Sequence, residues 1–388
     1  MRVYVTFTVI LLGLFGVQAV YSQQGSDNDP VLKMMKEYTE APGPSGFEEQ
    51  VRSMFVRDLR ALGADISVDG MGSVIAVMRG PADGPRIMVD AHLDEVGLMV
   101  QYIRPDGFIS FRPLGGIMDP EYLDQRWVIM TEKGPVQAVS GILDAHIWPA
   151  ELKDKVLPRE AIFLDVGAKS KASAEALGIK PGDAVAPVFH LTVLADHRIA
   201  AKAWDDRIGL MVMLEAMRKL KAQGTKLPCT VYLVGTTQEE IGLRGAHNAV
   251  QTVKPDLGIG IEVGIAGDVP GATPQIVQER LGDGPALFLY ESSMIPNTNL
   301  RNLFLRVAAE ENIPIQTEVL SGSYGQDARE IQAYGEGKPA VNLTVPTRYT
   351  HAHAGVIDRD DFDHTVDILA AVLKRLDAKT VKQIASFQ

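Results

Sequence analysis

Residues 230–243 read TVYLVGTTQEEIGL, an apolar run that stops at two adjacent glutamates. Val231, Tyr232, Leu233 and Val234 are β-forming residues without helical spacing, which predicts a buried strand with its exit at residues 235–238. Glu239 and Glu240 then stand at a strand's end. Neighbouring side chains of an extended segment point to opposite sides, so the pair is suited to two different jobs rather than one shared grip. Taken alone, the dipeptide reads better as a solvated helix start. The rest of the chain reverses that preference.

Upstream, residues 208–220 carry apolar side chains at helical spacing, and the spacing predicts a helix ending near Gly224. Downstream, residues 247–253 read as the tail of a helix, 257–263 (LGIGIEV) as another buried strand, 299–312 as a helix and 339–345 as a strand leading into PTRYTH. A last amphipathic helix is expected over 362–376. Before all of these, residues 31–62 are helical in two pieces interrupted by APGPSG, with Ser45 and Glu48 spaced as a capping box for the second piece. A strand pair follows over 66–79, and RIMVDA at 86–91 is a strand whose exit is His92-Leu93-Asp94-Glu95. Strands alternating with helices predict an α/β fold with a mostly parallel sheet covered on both faces.

Residues 96–199 differ in texture. Short β-like runs are separated by turn signals such as Pro105-Asp106-Gly107, and only 170–177 looks helical. We read this stretch as a small β-domain inserted between catalytic segments 30–95 and 200–388.

With 388 residues, 46% of them hydrophobic, the chain can bury a large core. A formal charge of −11 without a basic cluster argues against nucleic acid and anionic lipid as partners. Cys229 is the single cysteine, which excludes an internal disulfide and a cysteine-based metal site. Arg2, a mostly apolar run and the small-residue patterns Val17-Gln18-Ala19 and Val20-Tyr21-Ser22 predict a signal peptide over 1–22 and a secreted or periplasmic protein. An uncleaved membrane anchor is the alternative.

Several apolar strands lead into a potential metal ligand: His92, the pair Glu239 and Glu240, Glu262, and His351. In open α/β sheets the active crevice lies outside the carboxyl ends of the strands, so residues far apart in sequence converge there. Asp205, in AWDDRIGL, opens a helix and can join them, although capping that helix would also account for it. Asp94 is two residues from His92, on the same side of an extended segment, and is placed to hold the imidazole from behind. Two divalent cations bring about +4, matched by Asp205, Glu240, Glu262 and a hydroxide. The balance closes without Glu239, which is left as general base.

The same residues carry a family resemblance. AHLDEVG, AKAWDDRIG, TTQEEIGLRGA, IEVGIAGDVPG and PTRYTHA resemble, in order and approximate spacing, the motifs of the tetrahedral aminopeptidases. That group of two-metal metallopeptidases includes glutamyl and deblocking aminopeptidases, some labelled endoglucanases. The resemblance spans about residues 31–376. It implies a zinc-peptidase-like, doubly wound α/β domain with an inserted small β-barrel or PDZ-like domain used in dimer contacts. It further implies dimers assembled into a hollow dodecamer acting on peptides, and two divalent metals, usually zinc with cobalt active. His92, Asp205 and Glu262 would hold one ion and Asp205, Glu240 and His351 the other, with Glu239 as base and Asp94 as orienting carboxylate. Asp327 and Gln326 would face the substrate.

This chain departs from the pattern in places. Glu262 and Asp206 stand where Asp and Asn are common, and SGSYGQDA replaces a usual Gly-Gly-Thr-Asp-Ala, so Gln326 is the novelty there. His351-Ala352-His353 replaces a His-Ser start, which makes His353 a rival ligand; His351 is preferred. Two other function classes compete with the aminopeptidase. A glycoside hydrolase using Glu239 and Glu262 would survive metal removal, and a non-enzymatic protein on the same scaffold would bind metal without turnover.

Overall fold

The computed structural model describes residues 28–149, 157–322 and 324–386. The signal-peptide expectation for residues 1–22 lies outside them. Among the described residues, no helix is long and apolar enough to cross a membrane.

Thr230–Thr236 forms the expected strand, at the heart of an eleven-stranded mixed sheet among the described residues. It pairs in parallel with Arg86–His92, which pairs in parallel with Leu257–Ile265, which pairs in parallel with Ala340–Arg348. Antiparallel strands flank this centre: Val74–Met78 and Asp65–Val68 on one side, Gly355–Asp358, Arg198–Ala201 and Thr192–Val193 on the other.

The apolar run at 231–234 is unbroken because the sheet is buried on both faces. Val231 and Leu233 join the core under the long helix Trp204–Ala222, while Val234 packs with Ala249, Val250 and Ile331 on the opposite face. Every residue from Asp206 to Leu214 in that helix is buried, so the helix is a central pillar rather than a surface element.

Six antiparallel strands between Gly97 and Pro187 close into a barrel around Leu98, Val100, Trp127, Ile129 and Leu164. The chain rejoins the large sheet at Thr192, ahead of the border expected at residue 199. The reason is pairing: Arg198–Ala201 adds to Gly355–Asp358, a strand the sequence reading did not anticipate.

The crossings into and out of the barrel are tied by buried charge. Lys202 donates to both Glu95 carboxylate oxygens, at 2.8 and 2.6 Å, and to the Ala41 carbonyl at 3.1 Å. Arg207 donates to the carbonyls of Tyr38 and Ala41, and its guanidinium lies 3.5 Å from Glu95. Glu95, Lys202 and Arg207 are all buried, so removing one partner strands the others. Lys202→Met should therefore cost about 3 kcal/mol in urea denaturation. The Glu95→Gln/Lys202→Met pair should recover part of that loss; a single variant as stable as wild type would show the tie is dispensable.

Candidate metal centre

The ends of the parallel strands bring the expected residues together. His92 closes its strand, 1% exposed, and its Nε2 lies 2.9 Å from Asp205 Oδ1, 3.8 Å from Glu239 Oε2 and 3.9 Å from Glu262 Oε1. Across the cluster, His351 Nε2 lies 3.2 Å from Asp205 Oδ2 and 3.3 Å from Glu240 Oε2. Asp205 thus presents one carboxylate oxygen to each histidine. It can do so because the backbone at Asp205 and Asp206 is not helical, although both fall within the Trp204–Ala222 element. Capping passes to Asp206, whose Oδ1 accepts the Gly209 N–H at 3.1 Å, so the capping account of Asp205 is replaced.

Both imidazoles are held from behind. His92 Nδ1 is 3.1 Å from the Asp94 carbonyl and His351 Nδ1 is 2.6 Å from the carbonyl of Gly116, a residue just past a barrel strand. A carbonyl only accepts, so Nδ1 carries a proton in each ring; Nε2 faces the carboxylates, donating to Asp205 when it is protonated and free to hold a cation when that proton leaves. For His92 the nearer hold is thus the Asp94 main chain rather than the expected carboxylate, whose Oδ1 is 3.6 Å away.

The Asp94 carboxylate has other partners. It accepts the N–H groups of Glu239 and Glu240, at 3.0 and 3.2 Å, and the Ser45 hydroxyl at 2.6 Å. The capping role expected of Ser45 is therefore not what the structure shows: the helix begins at Glu49, without a side-chain cap, and Ser45 is spent on Asp94. Glu48 instead accepts from Gly46 N at 2.6 Å and Gln238 N at 3.3 Å, a second strut under the same loop. Gly245 closes that loop, since a Cβ there would sit 2.4 Å from the main chain of Thr237. Glu239 and Glu240 lie in this turn rather than an extended segment, yet their side chains do part: toward His92 and toward His351.

Of the two histidines in the His351-Ala352-His353 stretch, His353 is turned away. Its ring packs edge-on against Trp127 of the barrel, centroids 4.4 Å apart, and burial together with the nearby Lys202 charge lowers its pKa to about 4. Gln326 and Asp327 are 1% and 2% exposed, and Asp327 accepts the Thr236 hydroxyl. They support the cluster from below rather than forming an open wall. His146, His190, His197 and His247 are exposed, while His364, for which a surface position was also expected, is half-buried.

The donor set fits divalent cations. Ligand atoms of His92, Asp205 and Glu240, and of His92, Asp206 and Glu262, each converge within 4.8 Å. Asp206 is an addition that the sequence showed only as extra charge; it is fully buried, with Oδ2 3.3 Å from the His92 N–H. Glu240 Oε1 is buried without a hydrogen-bond partner among the described residues. Burial raises Glu262 and Glu239 well above the usual carboxylate range and brings Glu240 to about 8. Burial also opposes the charged form of Asp205, but hydrogen bonds from the two histidines pull its pKa down. Burial disfavours the His351 cation too, yet the Glu240 charge and the Asp205 contact lift it to about 10. Protons would have to do here what cations do better: screen carboxylates packed around nitrogen and oxygen lone pairs.

The sequence profile of the M42 glutamyl aminopeptidase family matches residues 72–368. A lysyl aminopeptidase of Pyrococcus furiosus is 36% identical over 349 residues, covering 89% of this chain and 97% of that protein. A TET aminopeptidase from a marine sediment thaumarchaeon superposes with a TM-score of 0.90 at 38% identity, over 93% of this chain and all of the other. The Pyrococcus horikoshii TET1 peptidase, which can assemble into a tetrahedron or a large octahedral shell, gives a TM-score of 0.80 at 29% identity over 88% and 99% of the two chains.

Zinc or cobalt added to the chelated protein should raise its melting temperature saturably, by the equivalent of about 2.7 kcal/mol at a hundredfold excess over Kd. Glu262→Gln should shift that saturation to higher metal concentration. A melting temperature indifferent to both ions would remove the metal-site reading.

Proposed function

The chain belongs to the M42 glutamyl aminopeptidase family, a metal-dependent peptide hydrolase by that membership, and on this premise we propose that it trims peptides from their N-termini at the cluster around Asp205. The observation that carries the proposal is the division of Asp205, one oxygen toward His92 and the other toward His351. It supports two ion positions sharing one carboxylate: His92, Asp205 and Glu262 on one side, Asp205, Glu240 and His351 on the other. Imidazole and carboxylate donors suit zinc, our reading of the metal, and also cobalt. Bound there, such ions supply Lewis acidity that polarises the scissile carbonyl and makes water acidic enough to lose a proton near neutral pH.

The chain's own residues do the remainder. Glu239 is held at the cluster by its main-chain bond to Asp94, and its side chain, 11% exposed, faces His92 Nε2 at 3.8 Å. It takes a proton from the attacking water and returns it to the leaving amine. Burial raises its proton affinity, which suits a group that must hold that proton between the two steps. Asp94 fixes both glutamates and His92 from one point, so it is a positioning residue.

The glycoside-hydrolase and binding-protein readings yield to the family membership. Assembly of dimers into a dodecamer is supported by the TET1 relative and by exposed apolar side chains on and beside the barrel, Val139 at 50% and Met118 at 68% exposure. Residues 1–22 have the composition of a signal peptide, which supports a secreted or periplasmic enzyme.

Glu239→Gln should abolish hydrolysis of aminoacyl chromogenic substrates while metal content, measured by elemental analysis, stays at the wild-type value. Near-wild-type turnover in that variant would show that Glu239 is not the base.

A further inference from the structure

In the stretch SGSYGQDA, the side chain of Tyr324 reaches the strand that carries Glu262. Tyr324 is partly exposed. Its hydroxyl donates to the Val263 carbonyl at 3.1 Å, one residue past Glu262. Its ring meets Phe288 edge-on, centroids 5.7 Å apart, and its main chain is pinned at both ends of the residue by Ser292 Oγ, at 2.7 Å from N and 2.6 Å from O. The phenol is thus fixed in place, and the charges it feels most are Asp205, Glu262 and Glu239.

We propose that Tyr324 is a substrate-binding residue whose phenol oxygen accepts a hydrogen bond from the free α-amino group of the peptide's first residue. Three features lead there. The hydroxyl proton is already committed to Val263, so the oxygen has acceptor capacity and no proton to give to a developing oxyanion. Gln326 Nε2 donates to the same Val263 carbonyl, at 3.5 Å, so the acceptor side of the phenol oxygen is left for a ligand. The Glu239 carboxylate, which neither ion position uses, favours a cationic or amine partner over an anionic one. Burial, reinforced by Asp205, Glu262 and Glu239, holds the phenol neutral at any working pH, so the acceptor is constant.

The inference rests on the aminopeptidase reading and adds the group that senses a free N-terminus. Sequence pattern hides Tyr324 because Gln326, two residues along, is the more visible departure from the family motif.

The test compares wild type with Tyr324→Phe, which keeps the ring and its packing, using two metal-chelating ligands: leucine hydroxamate and 4-methylpentanohydroxamic acid, its desamino counterpart. Calorimetry should show Tyr324→Phe weakening leucine hydroxamate about tenfold while the desamino ligand stays within about twofold. For aminoacyl substrates KM should rise with kcat little changed, and metal content should be that of wild type. Equal changes for both ligands, or no change for either, would overturn the anchor while leaving an active wild type as an aminopeptidase. A wild type that cleaves no aminoacyl substrate would sink the peptidase reading and this inference with it.

Discussion

A buried cluster of like charge is the constraint that shapes this molecule. Asp205, Asp206, Glu239, Glu240 and Glu262 meet around His92 and His351 in a space where carboxylates cannot all stay ionised unaided. Burial alone would expel or protonate such groups. The fold keeps them by fixing them on three rigid segments, Asp205 with Asp206, Glu239 with Glu240, and Glu262, and by leaving nitrogen and oxygen donors turned inward for cations. The parallel strands supply the platform and Glu262; the turn after Thr236 and the start of the Trp204–Ala222 helix supply the rest of the charge.

Asp94 is what makes the platform a single object. Its carboxylate collects Ser45, Glu239 and Glu240 while its carbonyl backs His92, so parts of the chain separated by some two hundred residues share one anchor. The Glu95–Lys202–Arg207 tie lies one residue further on and fastens the barrel crossings to the same place. Gly116 extends the hold to His351 from the barrel side. The inserted barrel therefore helps to orient a ligand as well as presenting a surface.

Much of this was legible from residue pattern. Largely apolar runs at 86–91, 230–236 and 257–263 announced strands buried on both faces, and the polar residues at or near their exits announced convergence. What the pattern could not show was local competition for partners. Ser45 and Glu48 have the spacing of a capping box, but Asp94 and Gly46 offer them other bonds, and spacing cannot rank tertiary partners against local ones. Asp205 looked like a cap because Asp206, which performs that task, is its neighbour. The resemblance put Gln326 and Asp327 on the substrate side; their burial is a tertiary fact that the motif does not carry. The strands Ala286–Tyr290, Gln316–Val319 and Gly355–Asp358 are short, too brief for a periodicity to emerge.

Against that background, the glutamate pair after the central strand is no solvated helix start. A buried turn holds both residues by their main chains and sends one side chain to each histidine. The account stands or falls on whether cations complete this arrangement. Its most direct test is stepwise addition of zinc to the metal-free protein while hydrolysis of an aminoacyl substrate is followed. Activity should be absent at the start and reach its plateau at two equivalents per chain; full activity in the metal-free protein would contradict it.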